Sequence, residues 1–163
     1  MIKVFLPFLA LVGVAGLVMG MSSSEIELDL SIDSDDLTSG VVTLNARVEN
    51  KGSEPFVFLP WNTPFDSRIA GRFLQVYEVG SGEQMEYLGL VMKRVAPTAA
   101  DYLTVKPGES GEAQLDLTKT YRFCADKTYF VGYDLSRLDP KSAGEENIVS
   151  TTFKASKGMA ACE

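Results

Sequence analysis

The chain has 163 residues, 22 acidic against 15 basic, no histidine and a net charge of −7. An acidic surface disfavours nucleic acid and anionic lipid as partners. The lack of imidazole excludes zinc-peptidase chemistry built on a helical H-E-x-x-H, and Ser–His or Cys–His nucleophiles with it.

The first segment carries Lys3 and then the apolar run Val4–Met19, followed by Val18-Met19-Gly20 as a tolerated cleavage sequence. This is the layout of a secretory signal peptide over residues 1–20. Retention as a membrane anchor is the alternative, since the run lies near the lower length of a span. Cleavage after Gly20 leaves residues 21–163 as one domain-sized β-unit with a C-terminal tail, free of the membrane. Its destination is the exterior or the periplasm, and the loss of Lys3 makes it one unit more acidic.

Cys124 and Cys162 both fall in the exported part. In an oxidising compartment two thiols most simply pair, which would tie the tail to the domain body; two free thiols are the alternative. Neither has a histidine to act as its base, so a catalytic role is not expected.

Period-two alternation governs the rest. Ile26, Leu28, Leu30 and Ile32 alternate with polar residues, as do Val42, Leu44, Ala46 and Val48. Asp33–Gly40 between them reads as a turn, and Asn50–Ser53 as another. Phe56–Leu59, Phe73–Val79, Tyr87–Met92, Tyr102–Val105, Ala113–Leu117, Phe130–Tyr133 and Ile148–Phe153 are the further expected strands. Gly80–Gly82 and Pro107-Gly108 supply turns. About eight short strands without a long helical period predict an all-β fold. An immunoglobulin-like antiparallel sandwich is preferred to a closed barrel, which the pattern alone does not separate.

Three stretches occur in a fixed order: V-T-L-N-A-R-V-E-N-K-G-S-E-P (Val42–Pro55), P-W-N-T-P-F-D-S-R-I-A-G (Pro60–Gly71), and Tyr87–Leu117 with K-R-V-A-P-T and P-G-E-S. Together they resemble the N-terminal β-domain of deuterolysin-type metallopeptidases, the aspzincins, and especially the peptidyl-Lys metalloendopeptidase branch. In that family W-x-T-P, K-R-x-A-P-T and P-G-E-S recur with similar separations. The family's zinc helix belongs to a following catalytic domain, so the resemblance implies a pro-region-like domain without its catalytic half. No catalytic residue, metal ligand or cofactor is carried over.

The resemblance implies a secreted zinc metallopeptidase as protein partner, with the domain acting as inhibitor or intermolecular chaperone. A general extracytoplasmic binding or structural module is the alternative, as is a peptidase-family fragment with no such role. The candidate partner-binding residues are Trp61, Phe65 and Arg68 on the Pro60–Gly71 loop, and the basic pair Lys93 and Arg94. Aromatic anchors on a Pro-stiffened loop suit recognition. The opposing reading makes Trp61 and Phe65 plugs of one end of the sandwich, and Lys93-Arg94 an ordinary solvated turn. Asp33, Asp35 and Asp36 lack the ligand count and spacing of a calcium loop.

Overall fold

The computed structural model describes residues 25–66, 68–142 and 147–161. The expected signal peptide at residues 1–20 and the expected bridge partner Cys162 lie outside them. The fold is all-β, with eight strands in three antiparallel sheets among the described residues.

One sheet joins β1 (Ile26–Ile32), β2 (Thr43–Asn50) and β6 (Ser110–Asp116) in the order β1-β2-β6. The other three-stranded sheet joins β4 (Gln75–Glu78), β7 (Thr128–Asp134) and β8 (Ile148–Lys154) in the order β4-β7-β8. The strands β1 and β8, each at an edge of its sheet, approach closely where the two sheets face one another across a gap. That gap is filled by one cluster that includes Leu28, Leu44, Val48, Val76, Val131 and Phe153. Alternation decides which side chains enter it. Ile26, Leu28 and Leu30 are buried while Glu27, Asp29 and Ser31 face water. Leu44 and Val48 are fully buried, each a gain of about 1.5–3 kcal/mol over exposure. Phe123, Tyr129 and Phe153 meet as a ring cluster, Phe123 edge-on to both partners at 5.0 and 5.3 Å between centroids.

Two short strands, β3 (Phe56–Phe58) and β5 (Leu103–Val105), continue the β2–β6 ladder beyond a bend. Asn50 holds that bend. Its side chain is buried, donates to the Glu54 and Val105 carbonyls at 2.8 and 2.9 Å, and accepts from Gly52 N at 3.0 Å. A buried amide is tolerated because its polar atoms find partners. The consequence is that β3 and β5 carry the ladder past the bend with Phe58 and Val105 still in the core, and the loop that follows Phe58 starts from their end.

Two local expectations need correction. Asp33–Gly40 is a short helix (α1, Ser34–Thr38), because Asp33 caps it by accepting from Asp35 N and Asp36 N at 2.9 and 3.1 Å. Tyr87–Met92 forms no strand. Its first residues are diverted by contacts with the neighbouring loop, described below.

Tyr121 and Tyr133 are buried, and their hydroxyls have no hydrogen-bond partner among the described residues. Burial pushes Tyr121 up to about 12 and raises Tyr133 further, because the phenolate would lose its hydration. Both folded values lie above that of the unfolded chain. Their contribution to stability is therefore complete below pH ~10 and is lost as pH rises through ~12. Tyr121→Phe is expected to make the alkaline unfolding transition less steep, measured by circular dichroism against pH. An unchanged alkaline limb would show that Tyr121 does not take part in that transition.

Candidate functional site

The Pro60–Gly71 loop is built on its own hydrogen bonds. The Thr63 hydroxyl donates to the Pro60 carbonyl at 2.7 Å and accepts from Phe65 N at 3.1 Å. Asn62 adopts a left-handed φ of 58°, a conformation that asparagine tolerates better than most residues. Asp66 is buried and organises the second half, accepting from Arg68 N at 3.3 Å and more distantly from Asn62 N at 3.4 Å.

The second component is the segment that runs from Tyr87 to Thr98. The Arg94 guanidinium forms an ion pair with Asp66, with only 17% of the Arg94 side chain exposed. The same guanidinium lies over the Trp61 ring, 4.9 Å from its centroid. A cation on an aromatic face gains about 0.5–2 kcal/mol, more as water is excluded. Tyr87 adds a second tie. Its hydroxyl accepts from Gly71 N at 3.0 Å and has its single proton to share between the Ile69 and Leu90 carbonyls, at 2.9 and 2.8 Å. Leu88 N donates to the Thr120 carbonyl at 2.8 Å. Gly89 must pass between these groups. A Cβ there would lie 2.5 Å from the Tyr87 hydroxyl and 2.8 Å from the Thr120 methyl, so any side chain would force the segment away.

The far end is closed by Thr98 and Asp101. The Asp101 carboxylate accepts from the Thr98 backbone N–H and hydroxyl, both at 2.8 Å. These bonds hold the Asp101 carboxyl below the usual carboxylate value. Between the two ends, Arg94 apart, the side chains are open to solvent. Leu88, Leu90, Val91 and Val95 are exposed, Val91 to 83% and Val95 to 84%. Consecutive exposed aliphatics at this level are not explained by packing within the chain.

The structure distributes the sequence candidates over this assembly. Trp61 and Phe65 are both half-buried. Phe65 packs edge-on against Phe58 at 5.5 Å and touches the main core, whereas the Trp61 ring lies under Arg94. Arg68 is exposed, and the guanidinium that reaches Asp66 is that of Arg94, distant in sequence. Arg94 is thus engaged internally, and Lys93 is the exposed cation of the pair. Sequence reading missed Tyr87, Gly89 and the exposed aliphatics. Its available signal was a hydrophobic run interrupted by glycine and followed by two cations. Among the described residues no group of three or more His, Cys, Asp or Glu side chains is placed to hold a metal ion. Nor, among them, is any helix long and apolar enough to cross a membrane.

No family model matches the chain. It is 33% identical over 92 residues to an extracellular protease of Aeromonas hydrophila, which covers 56% of this chain and 25% of that protein. It is 29% identical over 126 residues to a neutral protease 2 homolog of Blastomyces gilchristii, 75% of this chain and 33% of that protein. The chain therefore spans between a quarter and a third of the length of these relatives, and over that part it is a distant relative of protease sequences.

Proposed function

We propose that this chain is a secreted, non-catalytic β-sandwich that binds a deuterolysin-type zinc metallopeptidase as an inhibitor or intermolecular chaperone. The observation that carries the reading is an exposed aliphatic segment, tied to the Trp61 loop, on a domain similar to part of two proteases. The P-W-N-T-P, K-R-V-A-P-T and P-G-E-S stretches supply the finer resemblance, to the pro-region-like domain of that family. The sequence has no histidine, so it brings no imidazole to a zinc ion of its own. Its role toward a peptidase is then one of contact. The apolar leader before Met21 and the protease similarity favour export to the exterior or the periplasm.

Trp61 is the anchor best placed to report on this contact. It is half-buried with a rigid ring, so ordering it on binding costs little entropy. Trp61→Ala is expected to weaken binding of the purified Blastomyces neutral protease 2 homolog by about 2 kcal/mol, roughly thirtyfold. The same change should lower stability by about 1 kcal/mol, through loss of the Arg94 contact. Phe65→Ala, which opens space against Phe58, should lower the melt more. Melts and titrations on both variants separate the cases. A depressed Trp61→Ala melt with a folded fraction that binds normally would assign the ring to the core and refute its role in recognition.

A further inference from the structure

The chain from Leu90 to Thr98 has no turn, bend or left-handed residue. Between Val91 and Val95 its exposure alternates as an extended strand requires, with Leu90 and Ala96 open at either end. Met92, at 37%, and the inward Arg94 lie on one side, while Val91, Lys93 and Val95 point to solvent on the other. Yet its backbone groups from Val91 to Pro97 make no backbone hydrogen bond among the described residues. Open main-chain groups beside exposed apolar side chains are the features through which one chain adds as a strand to another. The segment is also held in place beforehand, by Tyr87 at one end, Arg94 in the middle and Thr98 at the other, which lowers the entropy lost on docking.

Resting on the function proposed above, we infer that Leu90–Ala96 is the docking element and enters the substrate cleft of the peptidase as an added strand. A peptidase cleft takes an extended chain through main-chain hydrogen bonds, with pockets for alternate side chains. Val91, Lys93 and Val95 are the side chains presented to those pockets. Pro97 has no N–H and ends the addable run. Charge argues against a second copy of the chain as occupant. Pairing two such segments antiparallel would bring Lys93 and Arg94 close to their own counterparts, and like charges across a ladder repel. From Tyr87 to Ala100 there is no carboxylate, although the chain is acidic overall, so the segment suits an apolar cleft with acidic character.

The test uses the exported protein and two purified probes, the mature Blastomyces neutral protease 2 homolog and the Aeromonas extracellular protease. Wild-type protein is titrated against each by calorimetry, with and without a zinc-chelating hydroxamate saturating the cleft. Val91→Asp/Val95→Asp alters only exposed positions and is expected to leave the melt unchanged while weakening binding roughly a hundredfold. The hydroxamate should compete. Binding by the double variant at wild-type affinity, or wild-type binding that the hydroxamate does not displace, would overturn the inference and leave the proposed function standing. Absence of wild-type binding to both probes would defeat the proposed function and this inference together. A dimer of the free protein that the double substitution dissolves would make a second copy the occupant and also overturn it.

Discussion

Asp66→Ala is expected to destabilise the domain by about 3 kcal/mol, because it leaves the Arg94 guanidinium partly buried without its counter-ion. The carboxylate does more than pair with Arg94. It also accepts from the backbone N–H groups of Asn62 and Arg68, so its loss removes turn bonds as well as an ion pair. Asp66→Asn keeps an acceptor for those groups and should cost less. Arg94→Met in the Asp66→Ala background should recover part of the loss, since an apolar side chain does not need a counter-charge. Urea denaturation of the wild type, Asp66→Ala, Arg94→Met and the double variant measures the coupling, with Asp66→Asn alongside. An Asp66→Ala effect within about 0.5 kcal/mol of zero would mean the pair is solvated in solution and does not fasten the two segments.

Joining Cys124 to Cys162 is expected to contribute about 4 kcal/mol in the loop-closure model. The tail is already led toward Cys124. Ala125 N donates to the Ala160 carbonyl at 3.0 Å, two residues before Cys162, and Asp126 N to the Ala155 carbonyl at 3.2 Å. Ala155 N in turn donates to the Lys127 carbonyl at 2.8 Å, so the tail is laid beside the strand that follows Cys124. Peptide mapping of the exported protein without reduction should recover the two cysteines in one linked species. Cys124→Ser/Cys162→Ser should lower the urea midpoint and keep the β-sheet circular dichroism. Recovery of both thiols free would remove the bridge from the account.

The strands were legible because their signal is local. Leu28, Leu44, Val48 and Leu115 recur at the period of a pleated strand, and the buried layer selects that face. The sequence pattern also gave the turn positions around Asn50 and Gly108, though not the continuation of one ladder through the bend they make. The segment at Tyr87–Met92 was misread for a physical reason. Its hydrophobicity is that of a buried strand, but Gly89 passes over Tyr87 and Thr120, which carries the chain out of the sheet. A propensity argument contains no term for that non-local contact. Likewise, Arg68 is the cation nearest Asp66 along the chain, whereas the fold brings Arg94 to it from a different loop. Of the candidate site, the Trp61 loop and the basic pair were visible as residues, and their assembly around one guanidinium was not.

The central claim is that this domain meets a peptidase without being one. Its most direct measurement is a titration of the exported protein into the purified neutral protease 2 homolog, following peptide hydrolysis and complex formation in the same samples. The account predicts no hydrolysis by the domain alone and a saturable 1:1 complex that changes either the enzyme's activity or its yield on refolding. Peptide hydrolysis by the domain alone, or an enzyme that refolds, binds and cleaves identically in its presence, would contradict it.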